Sequence, residues 1–100
     1  HYAIDLGCAS EGTPIYAALV GTVSRLGYDT VYGNFVELRH HSGYKTLYAH
    51  MTEIKVKKGQ SVTTNTMVGT VGSTGLSTGN HLHFAVYKNG KSMDPRRLWK

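Results

Sequence analysis

A chain of 100 residues with 40% hydrophobic content is sized for one compact domain and is too short to bury two separate cores. Its twelve glycines, two prolines and 17% charged residues exclude a disordered polypeptide, and no run approaches the ~18 to 20 consecutive apolar residues of a membrane-spanning helix. Eleven Lys and Arg against six Asp and Glu leave a formal charge of +5, suited to anionic partners; the basic residues nevertheless lack the aromatic-interleaved stripe of nucleic-acid modules, so no nucleic-acid partner is expected.

Apolar and β-branched residues recur with a period near two, punctuated by glycines roughly every eight to twelve residues, which predicts an all-β domain of antiparallel hairpins with few or no helices. In chain order the predicted strands are Tyr2 to Leu6, Pro14 to Leu26 bent around Gly21, Asn34 to His40, Lys45 to His50, Met67 to Gly72 and His81 to Tyr87. Between them, Tyr32-Gly33-Asn34, His41-Ser42-Gly43, Lys58-Gly59-Gln60 and Lys88-Asn89-Gly90 each offer a residue that tolerates positive φ. The segments Val56 to Val62 and Met67 to Gly72 read as two short structural strands around polar turns. Cys8 is the one cysteine, so no intrachain disulfide is possible, and a small buried hydrophobe is its expected role.

Six histidines in 100 residues is a high count, but spacing decides what they can do. In His81-Leu82-His83-Phe84 the alternation places both imidazoles on one face, ~6 to 7 Å apart along the strand, with Leu82 and Phe84 on the other. Two imidazoles facing one way each need a partner for their ring nitrogens, which a metal or a polar cleft supplies. His1 and Asp5 stand four apart, ~13 Å in a straight strand, so they reach a common ion only across a bend or bulge. Joined to the His81/His83 pair, they make up the two-imidazole, one-carboxylate kind of set used by catalytic zinc, with one imidazole left over for proton transfer. In Tyr48-Ala49-His50 the alternation puts Tyr48 and His50 on one face and brings a third imidazole to the cleft. His40 and His41 are adjacent and face opposite sides; His40 reads as a structural hydrogen-bonding residue and His41 as solvent-exposed.

Taken together, His1-x-x-x-Asp5, Gly12-Thr13-Pro14-Ile15, Tyr48-Ala49-His50, Gly72-Ser73-Thr74-Gly75 and Ser77-Thr78-Gly79-Asn80-His81-Leu82-His83-Phe84 resemble, in order and spacing, the lysostaphin-type or LytM-type zinc metalloendopeptidases that cut peptidoglycan. The likeness runs down to Met93-Asp94-Pro95. It implies an antiparallel β-sheet or sandwich with a substrate groove, related to barrel-sandwich folds. One zinc ion is implied on His1, Asp5 and His83, with His50 and His81 as the catalytic histidines that move protons and stabilise the oxyanion while water is the nucleophile. The implied substrate is a peptide cross-link of bacterial murein and the implied setting extracytoplasmic. Residues 1–100 would then be a monomeric metallopeptidase catalytic domain, and a metal ligand at the first residue points to a piece of a longer protein. The chain departs from the family pattern at Ala3, where glycine is frequent, at Asn80, where proline is, and at Ala85, where an acidic residue is common; Cys8 lies in a stretch usually rich in Ala or Pro.

The loop from Gly72 to Asn80 reads either as a source of backbone donors for an extended peptide or as a plain connector. Two other functions compete with the hydrolase. A family relative that binds cell wall or activates an amidase without catalysis is opposed by the retention of all five site residues. A biotinyl-type carrier, suggested by Val56 to Val62, is opposed by the lack of a modified-lysine turn.

Overall fold

Period-two alternation is realised as nine strands among the described residues, all paired antiparallel in one curled sheet. The structure is a computed structural model that describes residues 4–6, 11–74 and 82–94, with the backbone alone for 4–6 and 82. The strands are β1 (Ile4–Leu6), β2 (Pro14–Tyr16), β3 (Gly21–Asp29), β4 (Gly33–Arg39), β5 (Tyr44–Ile54), β6 (Ser61–Val62), β7 (Met67–Val71), β8 (Leu82–Lys88) and β9 (Lys91–Met93), with a 3-10 turn at His41–Gly43. The sheet runs β1-β8-β5-β4-β3-β6; β9 adds to β8, and β7 bridges β5 and β2. The eleven-residue β5 pairs with β8 as far as Ala49 and with β7 from Met51 onward, so its two halves lie in different parts of the sheet and the sheet curls into a half-barrel.

Alternation sorts the two faces. Val36, Tyr48 and Phe84 stand opposite one another across β4, β5 and β8, followed by Leu38, Thr46 and Val86. Apart from Thr46 these belong to the buried apolar cluster, completed by Ile15, Val23, Met51, Val62, Val68 and Val71 among others. The Tyr48 and Phe84 rings pack at 5.3 Å between centroids. The other face carries three cross-strand rows: Ala49–His83–Asp5, then Glu37–Leu47–Ala85, then Arg39–Lys45–Tyr87.

The predicted long strand from Pro14 to Leu26 is two strands. After Tyr16 the chain leaves the ladder: Ala17 N–H donates to the Thr66 carbonyl (3.1 Å) and Ala18 N–H to the Tyr48 hydroxyl (2.9 Å). The strand resumes at Gly21, where a Cβ would collide with the Arg39 carbonyl and lie 2.6 Å from the His40 ring, so only glycine lets β3 close on β4 here. The predicted turns are present, with positive φ at Gly33, Ser42, Gly43, Gly59, Asn89 and Gly90. Consecutive positive φ at Asn89 and Gly90 makes the tight two-residue turn of a hairpin, and its far strand, β9, is one the sequence pattern did not predict. The Tyr2 and His81 ends of two predicted strands, and Cys8, lie outside the described residues.

His40 has the structural role read for it, and His41 is exposed. The His40 Nδ1 sits 2.9 Å from the Val20 carbonyl, an acceptor only, so Nδ1 carries the proton. Its Nε2 lies 2.8 Å from the Thr46 hydroxyl, which in turn contacts the Tyr48 hydroxyl at 2.9 Å. Burial lowers the His40 pKa; the Val20 hydrogen bond opposes this in part, and neighbouring His41 adds to the lowering. The folded state therefore resists a proton that the unfolded chain takes up below pH ~6.5, so stability is complete above that value and is lost as pH falls through it toward the folded pKa. Thermal melts recorded downward from about pH 7.5 should show the midpoint dropping on the acid side as the unfolding free energy falls by at most ~1.4 kcal/mol per pH unit for this one proton, and His40→Gln should flatten that slope.

Candidate active site

The centre of the site is a row of the sheet. On β8, His83 is directly opposite Ala49 of β5 on one side and Asp5 of β1 on the other. Residues opposed in an antiparallel pair have Cα atoms only ~4.5 to 5.5 Å apart. The bend that the His1-to-Asp5 spacing called for concerns residues outside the described part, but the register of Asp5 with His83 is the convergence of distant segments that a shared site needs.

His50 follows Ala49 and has φ +61, one of three non-glycine residues with positive φ among those described. Strict alternation would put its side chain with Tyr48, which is 1% exposed and deep in the core. Instead the left-handed backbone turns it out of that pattern, and its ring meets His83 edge to face at 5.7 Å between centroids and 78° between planes. The expected third imidazole is therefore at the site, but the same-face argument from Tyr48 is overturned: the kink breaks the alternation on which it rested. A histidine in this region of backbone space is strained by about 1 kcal/mol or more and persists where its surroundings hold it.

Two carbonyls do the holding. His50 N–H donates to the Tyr32 carbonyl at 2.7 Å, and His50 Nδ1 lies 2.7 Å from the Thr74 carbonyl. A carbonyl accepts only, so Nδ1 carries the proton and the neutral ring has its lone pair on Nε2. Thr74 is itself fixed: its hydroxyl donates to the Met51 carbonyl (2.7 Å) and accepts from Asn34 N–H (3.0 Å). The Asn34 side-chain amide donates to the Met51 and Thr52 carbonyls at 3.0 and 3.1 Å. Gly33, at φ +64, lets this network close, since a Cβ there would run into the backbone and hydroxyl of Thr74. Tyr32 completes the surroundings, its ring 6.1 Å from that of His83.

Tyr32, Gly33, Asn34 and Thr74 were legible in the sequence only as a turn and part of a Ser/Thr/Gly motif. The carbonyl acceptors that orient His50 belong to the main chain and leave no mark in residue type. Of the loop once read as a source of backbone donors, Thr74 contributes an acceptor, and residues 75–80 lie outside the described part.

Among the described side chains no three His, Cys, Asp or Glu gather as a metal group. His1 and His81 lie outside the described residues, and Asp5 is described by its backbone alone. What the structure brings together is a histidine opposed to an aspartate, with a second histidine ring against the first. Histidine and aspartate are residue types that zinc takes as ligands, and the register sets their two backbone positions opposite each other.

Residues 1–95 match Peptidase family M23. The chain is 42% identical over 90 residues to the peptidoglycan DD-endopeptidase ShyC of Vibrio cholerae, covering 90% of this chain and 21% of that protein. The chain thus spans about a fifth of the length of this curated relative. Among solved structures it superposes on the catalytic domain of the antimicrobial peptidase lysostaphin from Staphylococcus simulans with a TM-score of 0.90 and 32% identity, covering 100% of this chain and 80% of that one. A zinc-containing peptidase from Vibrio cholerae superposes with a TM-score of 0.83 and 37% identity over 86% of this chain and 26% of that chain. With a family match over nearly its whole length and a lysostaphin-like sheet, this chain belongs to Peptidase family M23, the lysostaphin or LytM type.

Proposed function

We propose that the chain is the catalytic domain of a zinc-dependent endopeptidase that hydrolyses peptide cross-links of bacterial peptidoglycan outside the cytoplasm, as part of a longer polypeptide. The observation that carries this reading is the register of β8, with Asp5 opposite His83 and the His50 ring packed on the His83 ring. The names of the relatives supply the substrate class: ShyC is a peptidoglycan DD-endopeptidase, and the Vibrio structure is a zinc-containing peptidase.

In this reading His1, Asp5 and His83 hold a single zinc ion. Zinc bound there supplies Lewis acidity, which draws the pKa of a water toward neutrality and polarises a carbonyl. The protein's own groups do the rest. His50, its Nδ1 proton committed to the Thr74 carbonyl, has in its neutral form a basic Nε2 that can take a proton and return it to the leaving amine. His81 is assigned the companion part in proton transfer and in hydrogen bonding to the oxyanion. The network from Gly33 through Thr74 keeps the His50 imidazole in one tautomer and orientation, which saves reorganisation during the reaction.

The protein should purify with one zinc per chain and lose hydrolysis of cross-linked muropeptides to a chelator, with activity restored by zinc. Asp5→Ala should lose both metal and activity; His50→Ala and His81→Ala should keep the metal and lose on the order of a hundredfold in rate. Metal analysis beside product identification by mass reads all of these. A protein without zinc and indifferent to chelator would instead be a non-catalytic wall-binding relative. Gly33→Ala should act at a distance: the new Cβ displaces Thr74 and the left-handed backbone disfavours alanine. The expected result is a stability loss of about 2 kcal/mol and at least a tenfold drop in kcat with zinc content unchanged.

A further inference from the structure

The face that carries His83 continues past it. Two residues on, Ala85 stands opposite Leu47, which is opposite Glu37, which is opposite Arg25; two further on, Tyr87 stands opposite Lys45. At ~6.5 to 7 Å per pair of residues, these rows lie ~7 and ~13 Å along the strand from His83. A cavity of about 210 Å³ opens over them, lined by Arg25, Tyr32, Glu37, Lys45, Leu47 and Tyr87. Tyr32 joins the two places, since its ring also lies against His83.

The charges in the cavity do not cancel. The Glu37 carboxylate is nearly buried and is occupied at both oxygens, by the Ser24 hydroxyl at 2.9 Å on Oε1 and by Arg25 at 3.2 Å on Oε2. Lys45 Nζ stands 4.0 Å from Oε1. Two cations against one carboxylate leave a net positive charge, and both cationic side chains reach solvent, at 63% exposure for Arg25 and 47% for Lys45. Glu37 thus anchors the cations rather than offering itself to a ligand. Burial, together with the neighbouring Tyr32 and Glu37, raises the Tyr87 pKa against the opposing pull of Arg25, so its phenol stays a proton donor at neutral pH. The pocket is a set of donors with no spare acceptor charge.

We propose that this cavity is a specificity subsite of the hydrolase that receives a free carboxylate of the substrate peptide, through Lys45, Arg25 and the Tyr87 hydroxyl. An extended peptide advances ~3.3 Å per residue, so the recognised carboxylate stands roughly two to four residues from the bond at His83. Amidated stems are the substrates the subsite selects against.

This inference rests on the peptidase reading, and the test separates the two. The probes are a cross-linked muropeptide dimer with free carboxylates and the same dimer with those carboxylates converted to primary amides. Binding is measured by calorimetry in chelator, where no cleavage occurs, and turnover with zinc. The wild-type protein should bind the free dimer about tenfold more tightly than the amidated one, the value of one exposed charge-assisted hydrogen-bond set. In Lys45→Gln that ratio should fall toward one, and Lys45→Arg should retain most of it. Equal binding of the two dimers by the wild type, no binding of either, or a ratio unmoved by Lys45→Gln overturns the subsite. A binding preference without cleavage of either dimer sinks the peptidase reading alone, whereas cleavage without preference sinks the subsite alone.

Discussion

The register in which β8 lies between β1 and β5 is the constraint on which the site depends. Because side chains alternate, a slip of one residue would exchange His83 for Phe84 on the groove face and drive an imidazole into the core. Phe84 is 4% exposed and packs on Tyr48, and burying a phenylalanine side chain stabilises by ~1.5 to 3 kcal/mol, which the slipped register would forfeit. The core therefore holds His83 opposite Asp5 without any contact to the chemistry.

The second constraint is local. β5 changes partners between Ala49, paired with β8, and Met51, paired with β7, and His50 is the residue at the change. An extended residue there would continue the ladder and aim its side chain into the core. The left-handed conformation removes it from the ladder, frees its N–H for the Tyr32 carbonyl and turns the ring to His83. The same network that orients the imidazole compensates the backbone strain, so positioning and stability are coupled at Thr74.

Alternation made much of this legible beforehand. It placed Phe84 in the core and His83 on the other face, separated His40 from His41, and marked the turns at Gly33, Gly43, Gly59 and Gly90. It failed where the backbone is not extended. The strand from Pro14 broke at Ala17 because main-chain donors there found partners in Thr66 and Tyr48, and His50 reached the groove against its parity. Neither event has a signal in residue type, because both depend on carbonyl and hydroxyl partners distant in sequence. Family resemblance supplied His1 and Asp5 as partners of His83, which spacing within the first five residues had made harder to credit; the ladder between β1 and β8 gives a physical reason for the Asp5 part of it.

His40 and His50 are two histidines of the same fold that are buried alike and differ in their second contact. Both are 6% exposed, and both commit Nδ1 to a backbone carbonyl, so neither burial nor tautomer distinguishes them. The difference is in where the other half of the ring points. For His40 it meets the Thr46 hydroxyl, which leads to Tyr48 and the Ala18 N–H within the core, a closed set of hydrogen bonds that a proton would disrupt. For His50 the ring meets the His83 imidazole on the groove face. A buried histidine is thus read by the chemistry of its second contact, and a backbone kink at His50 is enough to move that contact from the core to the groove.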